Sequence, residues 1–373
     1  MPNKPKLRFK EFNDSIVECR IENVLKIKHG KDQKAIECKD GIYPILATSG
    51  EIGRTNTYLW NRPCVLIGRK GTINKPQYMD TPFWTVDTLF YSDVNSSNIA
   101  KYLYYLFNTI NWKRYDESTG VPSLSAKTVE RIKVIITNNK DEQKKIAEFL
   151  SKVDEIIAER EEEVKDLEKQ KKGLMQKIFS QQLRFTDSNN NPYPEWEEKK
   201  IGDVFEFYNG KAHEQEIDEN GEYIVVNSKF ISTEGQVKKY TNKVICPLIK
   251  DNIVLVMSDV PNGKAMSKCY LIEEDNKYSL NQRICCLRTK DVARFFIYQI
   301  SRNKYFLKFD NGVSQTNLRK EDVLKCPIQV PCLEEQQKIA NVLSKLDELI
   351  EEKKALLSDW QSFKKGLLQQ MFV

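Results

Sequence analysis

Two stretches of the chain repeat apolar residues in alternating steps of four and three. In the first, Ile146, Leu150, Val153, Ile157, Val164, Leu167, Leu174 and Ile178 form the series, and Arg160 and Lys171 stand where further apolar residues are due. In the second, Ile339, Leu343, Leu346, Ile350, Leu357, Trp360, Leu367 and Met371 do the same, with Lys353 and Lys364 as the breaks. Such an alternation is a heptad seam, the pattern of a long helix that packs along another. Neither stretch holds a proline, and glycine enters only at Gly173 and Gly366, near the ends, so nothing inside them interrupts a helix. At about 1.5 Å per residue, each predicted helix is roughly 58 Å long.

The two stretches are copies of each other. Residues 141–179 and 334–372 align without a gap at an offset of 193 and are identical at 19 of 39 positions. The segments in front are weakly related too. Leu7-Arg8-Phe9 returns as Leu183-Arg184-Phe185, and Glu22–Lys31 parallels Gly202–Lys211. Gly120–Ser125 and Gly312–Arg319 each lead into a short strand and then the helix. The chain therefore reads as an internal duplication, with variable domains at 1–140 and 183–333 and long helices at 141–182 and 334–373. A seam can also pack on its own domain, but matching seams with matching basic breaks fit a mutual pair better. In a parallel pair the second domain would have to carry the chain back over the full helix length, so an antiparallel pair is expected. That predicts a rod with a pseudo-two-fold axis across it and one domain at each end, about 50–60 Å apart. One turn of B-DNA is about 34 Å, so such a rod suits two separate groove segments on one face of a duplex.

Both variable domains alternate short β-like runs with Gly, Pro and Asn. Tyr43–Ala47, Cys64–Gly68, Phe83–Val86 and Thr88–Tyr91 are such runs in the first, followed by a helical stretch at Ile99–Phe107. Tyr223–Val226, Ile253–Met257 and Arg283–Arg288 repeat the style in the second, with a helix at Val292–Ile300. The predicted class is α/β or α+β for each domain.

Composition narrows the class. Charged residues make up 30% of 373 residues and hydrophobic ones 40%, and the net charge is +6. This describes a folded, heavily charged chain with a mild basic bias, compatible with nucleic acid. No apolar run approaches the ~18 residues of a membrane span. The opening MPNKPKLRFKEF has no apolar core of a secretion signal. Nine cysteines without metal-ligand spacing, and only two histidines (His29 and His213), predict reduced thiols of a cytoplasmic protein and no zinc site.

The polar chemistry lies in loops. In the first domain Arg54, Arg69, Lys70, Thr72, Ser123 and Ser125 sit on or beside glycine-hinged turns. In the second, Asn227, Lys229, Asn262, Lys264, Asn281, Gln282, Arg283, Gln315, Asn317 and Arg319 offer base-reading types. Arg matches guanine O6/N7 as a fork, Asn and Gln match adenine, and Lys mainly meets phosphate. Singly these are weak: a Gly-Arg-Lys-Gly turn is also an ordinary solvated hairpin, and Asn317 also suits a helix cap. Catalytic templates are missing. There is no GxxxxGK[ST] loop and no dinucleotide- or S-adenosylmethionine-type glycine turn. Asn191-Pro-Tyr-Pro194 reads as a linker turn, and Asp87 as a lone acid.

With these features the chain resembles the specificity subunits of type I restriction-modification systems. The resemblance covers essentially its whole length. It rests on the helix entries Asp141–Ala147 and Glu334–Ala340, the exits Lys171–Leu174 and Lys364–Leu367, Ile67–Gly71, and Trp196 with Ile201–Val204. One departure is that no tryptophan near Ser15–Cys19 matches Trp196. The resemblance implies a non-catalytic subunit whose two target-recognition domains read a split, asymmetric site in double-stranded DNA. It implies docking of two methylation subunits on the rod, with Gln143, Glu155, Gln336 and Glu348 as candidate contacts, and restriction subunits joining through them. S-adenosylmethionine, ATP and Mg would belong to those partners and none to this chain. The competing reading of the same residues is a bivalent protein-binding scaffold that is not directed to DNA.

Overall fold

The structure, a computed structural model, describes residues 5–260, 263–310 and 313–372. Among them, the first globular part runs β1 (Ile16–Arg20), β2 (Leu25–Lys28), β3 (Tyr43–Ala47), β4 (Gly50–Thr55), β5 (Cys64–Gly68), β6 (Gln77–Met79), β7 (Trp84–Thr85), β8 (Leu89–Val94), α1 (Ala100–Phe107), α2 (Ala126–Arg131) and β9 (Lys133–Thr137). The helix α3 (Lys140–Phe179) follows. The second part runs β10 (Glu197–Lys200), α4 (Ile201–Val204), β11 (Glu206–Asn209), β12 (Tyr223–Val226), α5 (Ser228–Ser232), β13 (Tyr240–Thr241), β14 (Ile253–Val256), β15 (Ser258–Asp259), β16 (Cys269–Leu271), β17 (Tyr278–Leu280) and β18 (Ile284–Arg288). It closes with α6 (Ala293–Ile300), α7 (Lys304–Leu307), β19 (Thr316–Asn317), α8 (Lys320–Leu324) and β20 (Pro327–Val330), and α9 (Leu333–Met371) ends the chain. No helix among the described residues is long and apolar enough to cross a membrane.

The chain divides into two compact units, 1–164 with 353–373, and 165–352. The division passes through both long helices. In the first unit, the continuous apolar run of β5 makes it an inner strand of the antiparallel sheet β2-β8-β5-β6, buried at all five residues. A second sheet, β4-β3-β7, contains the parallel pair Ile45/Trp84. The two-stranded ribbon β1-β9 joins the start of the domain to the strand just before α3. The second unit repeats each piece: the sheet β11-β18-β14-β16, the sheet β13-β12-β17 with its parallel pair Ile224/Tyr278, and the ribbon β10-β20. Each is an α+β domain with mostly antiparallel sheets. The buried thiols belong to this packing: burial pushes Cys64 and Cys286 up to about 12, which leaves them protonated and inert.

Every seam residue is buried or half-buried. The seam is not purely a helix-to-helix contact, however. Ile146, Leu150 and Val153 share one core with Leu103, Tyr105, Val134 and the α9 residues Leu367 and Met371. Ile178, Ile339 and Leu343 share another with Phe295, Ile328 and Trp196. The first turns of each helix are thus core elements of the domain that precedes them, as well as partners of the other helix.

The basic breaks have acidic partners. In the first unit Lys364 meets Asp154, and the same carboxylate accepts the Tyr105 hydroxyl at 2.7 Å. In the second unit Lys171 meets Asp347, which accepts the Tyr298 hydroxyl at 2.6 Å. These triads correspond residue for residue at the offset of 193. Lys353 reaches Glu163 at 2.6 Å, and Arg160 reaches it at 2.8 Å. Within each unit the end of one long helix therefore lies antiparallel to the beginning of the other.

A second duplicated set joins each helix to its domain. Glu142 and Glu335, in the first turns of α3 and α9, are 1% and 0% exposed. Arg8 grips Glu142 through Nε and Nη2 at 2.6 and 2.8 Å, and Arg184 reaches Glu335 at 3.0 Å. These hydrogen bonds raise the affinity of both guanidiniums for their protons. Trp196 Nε1 donates to Glu335 at 2.9 Å. In the first domain the Thr137 hydroxyl donates to Glu142 at 2.6 Å instead, so a different donor does the work of the missing tryptophan. The turn at Asn191–Pro194 is tied in as well, since Arg184 Nη2 donates to the carbonyls of Tyr193 and Pro194. The Leu7 amide bonds the Gln370 carbonyl near the end of α9 at 3.0 Å, as Leu183 bonds Lys177 near the end of α3 at 3.0 Å.

Removing the acceptor of a buried donor leaves that donor unsatisfied. Glu335→Ala strands Trp196 Nε1 and takes from Arg184 its buried carboxylate, leaving it Glu195 and the carbonyls of Tyr193 and Pro194, and is expected to destabilise the chain by about 1–3 kcal/mol. Urea denaturation measures this. A loss below about 1 kcal/mol would show that the clamp is not a structural requirement.

Candidate nucleic-acid interface

In the first domain β5 ends in a turn at 68–72. A Cβ on Gly68 would meet the Thr72 carbonyl oxygen at 2.2 Å, so only glycine lets the turn fold back this tightly. The turn is stitched to two other segments. Arg69 N donates to Thr88 O at 2.8 Å, Leu124 N donates to Arg69 O at 2.9 Å, and Gly71 N donates to Pro122 O at 2.8 Å. Lys70 and Ser123 form an isolated antiparallel bridge. Arg69, Lys70, Thr72, Ser123 and Ser125 are thereby brought to one loop cluster.

Arg69 is not a free cation, nor is Asp87 a lone acid. The two form an ion pair through Arg69 Nη1, which also lies 3.3 Å from the Asp87 carbonyl. The guanidinium carbon stands 5.9 Å from the Phe90 ring centroid. The neighbouring loop is organised by Asp116, whose Oδ1 accepts from the amides of Ser123 at 2.9 Å and Ser118 at 3.0 Å. Those bonds hold its carboxyl below the usual range. Ser125 is the N-cap of α2: its hydroxyl accepts from Thr128 N at 3.1 Å and donates to Glu117 at 3.1 Å. Arg54 lies apart, on the β3–β4 hairpin, paired with Glu51 at 3.0 Å and bonded to Gly41 O at 3.2 Å.

The second domain carries the same stitch with different side chains. Met257 N donates to Arg283 O at 2.9 Å, and Leu318 N donates to Met257 O at 2.7 Å. Ser258 and Asn317 are paired between β15 and β19. Met257 therefore stands where the first domain has Arg69, and Asn317 where it has Ser123. The Gln315 amide donates to the Ser258 hydroxyl at 2.6 Å, which donates to Asn317 Oδ1 at 2.6 Å. Asn317 does not cap the following helix. That cap is Arg319, whose amide donates to Asp322 at 2.8 Å while its side chain, 80% exposed, pairs with the same carboxylate.

A depression beside this cluster is lined by Glu214, Asn227, Lys229, Asn281, Gln282 and Arg283, among others. Asn227 caps α5 by accepting from Phe230 N at 2.9 Å. Gln282 donates to Glu214. Asn281 Oδ1 is buried and has no hydrogen-bond partner. Arg283 is exposed and holds φ at +67°, a conformation rare for a residue other than glycine and found where structure over-determines it. Gly210 lets this turn approach the entry strand: a Cβ there would lie 1.9 Å from the Asn281 carbonyl oxygen, as one on Gly30 would lie 2.1 Å from that of Val86. Lys264 is exposed, and Asn262 lies outside the described residues. Lys239 also lines the depression. The sequence offers no sign of Lys239 and reads Asp87 as a lone acid, because tertiary pairing, not a local motif, brings them in.

Two of the proposed partner contacts are corrected. Gln143 and Gln336 are buried at 0% and 2%. Gln143 accepts from Ile99 N at 2.8 Å and donates to Asn98 and to Thr137 O, both at 2.8 Å. Gln336 accepts from Val292 N at 3.2 Å and donates to Pro331 O at 2.9 Å. Each glutamine serves the start of its domain's helix, α1 or α6, and has no face left for another protein. Glu155 and Glu348 are exposed.

The family described as type I restriction modification DNA specificity domain matches the chain twice, over residues 13–168 and 193–358. The type I restriction enzyme MjaVIII specificity subunit of Methanocaldococcus jannaschii is 28% identical over 289 residues, which are 71% of this chain and 68% of that protein. The putative type I restriction enzyme MjaX specificity subunit of the same organism is 26% identical over 243 residues, 61% of this chain and 56% of that one. Among solved structures, the S subunit of a type I restriction-modification system from M. genitalium matches with a TM-score of 0.67 at 18% identity, covering 100% of this chain and 99% of that one. A chain from a study of complex assembly and conformational transition of the type I R-M system matches with a TM-score of 0.55 at 13% identity, covering 95% and 96%. These structures share the fold.

Ser125 and Asn227 have capping work whatever else they touch. Ser125→Ala and Asn227→Ala are each expected to lower stability by about 1 kcal/mol, read by thermal or urea denaturation. No loss in either would mean that the side chain is free for another role.

Proposed function

The chain belongs to the type I restriction-modification DNA specificity family and is a specificity subunit; from that premise we propose that its two domains read the two halves of a split, asymmetric site in double-stranded DNA. The observation that carries this reading is the shared stitch with unlike side chains. Arg69, Asp87 and Ser123 on one copy correspond to Met257, Gln282 and Asn317 on the other. A common frame with different side chains is what two readers of different sequences require.

On the same reading, 1–140 and 183–333 are the target-recognition domains, and α3 and α9 are the spacer. The antiparallel pairing inside each unit and the matched Tyr-Asp-Lys triads support a pseudo-two-fold rod that fixes the gap between half-sites. The chain has no catalytic role of its own. It docks methylation subunits on the outer faces of the long helices, where Glu155 and Glu348 remain as exposed candidates, and restriction subunits join through them. S-adenosylmethionine, ATP and Mg act in those partners.

Two outcomes are expected. DNA binding by the complex with methylation subunits should fall steeply with salt, by about a thousandfold or more between 50 and 200 mM if six or more phosphates are contacted. Salt-insensitive binding, or none, would favour a protein scaffold. Adding seven residues at matching positions of α3 and α9 lengthens the rod by about 10 Å, so the gap in the recognised site should grow by about three base pairs. An unchanged gap would exclude the spacer role.

A further inference from the structure

The two copies differ at the residue that the stitch holds in place, Arg69 in the first domain and Met257 in the second. We propose that Arg69 reads a guanine in one half-site and that Asp87 is its positioning residue; this rests on the DNA-reading function proposed above and goes beyond it by naming the base and the pair.

The backbone of Arg69 is fixed on both sides, by Thr88 O and by Leu124 N. Its guanidinium is then fixed by a second set of contacts. Nη1 is taken by the Asp87 carboxylate and carbonyl, and Phe90 lies beneath the guanidinium. Among the described residues, Nε and Nη2 take no protein partner. That edge carries two parallel N–H donors, the arrangement that matches O6 and N7 of guanine in the major groove. The Arg69 side chain is 27% exposed and that of Asp87 61%, so the pair sits at the surface, where a duplex can reach it. An arginine held by an acid and an aromatic ring gives up less conformational freedom on binding than a solvated one. An acid beside a DNA-facing arginine opposes phosphate, which argues against a simple backbone contact.

The second domain cannot use this device. Met257 has no hydrogen-bonding edge, and the residue at the place of Asp87 is Gln282, whose amide goes to Glu214. Guanine selection through this position is therefore a property of the first domain alone, and it contributes to the asymmetry of the site.

The test uses the full chain assembled with its methylation subunits and a pool of randomised duplexes. The unaltered complex is expected to select guanine at one position of one half-site. Arg69→Lys, which keeps the charge but loses the fork, and Asp87→Ala, which frees the fork, should each reduce that preference about tenfold or more. Selection at the other half-site, and the salt dependence of binding, should not change; the intact half-site shows that the variants are folded. Three results would overturn the assignment: a guanine preference unchanged in either variant, a loss uniform over all sequences with a shallower salt dependence, or a selected site lacking guanine in the affected half. A complex that selects no sequence at all would overturn the DNA-reading function itself.

Discussion

A carboxylate buried in the first turn of a helix is unfavourable unless its oxygens find donors. Glu142 and Glu335 meet that demand with Arg8 and Thr137 in one copy, and with Arg184 and Trp196 in the other. The arginines come from the segment that opens each domain and the carboxylates from the helix that closes it. Each pair thus ties the two ends of a domain to one point. The ribbons β1-β9 and β10-β20 bring the same ends together by backbone pairing. With its ends closed, a domain can vary its loops without losing its hold on the helix.

Much of this was legible in the sequence for a physical reason: helices and buried strands impose periods. The heptad seam, the duplication, and helices near Ile99–Phe107 and Val292–Ile300 all follow from spacing alone, and the structure places α1 and α6 there. Spacing does not tell which surface a seam residue meets. Ile146 and Leu150 repeat like rod residues, yet they also complete the core around Tyr105 and Val134. Polar residues were the least legible. Gln143 and Gln336 recur in both copies at a helix start, which fits docking as well as capping. Only their bonds to Ile99 N and Val292 N reveal the capping role. Asp87 lies eighteen residues from Arg69 on another strand turn, and no local pattern joins them.

The duplication also separates frame from content. Both copies keep the glycine that lets a turn approach the entry strand (Gly30 and Gly210), the backbone bonds across the stitched loops, and the Tyr-Asp-Lys triad. They differ at Arg69 against Met257 and at Asp87 against Gln282. Their turns also differ in strain, since Arg283 holds a positive φ. Divergence in side chains and turns on a common frame is economical for a subunit proposed to read two unlike sequences at a set distance.

A chain that reads two different half-sites across a fixed gap, as proposed, leaves that pattern on the DNA its complex modifies. The most direct measurement is the methylated sequence, mapped base by base, in DNA from cells that carry this chain with its partner subunits. Two unlike readers on one chain give a split motif of two unlike halves separated by an unspecified stretch of constant length. A contiguous motif, or two identical halves in palindromic arrangement, would contradict it.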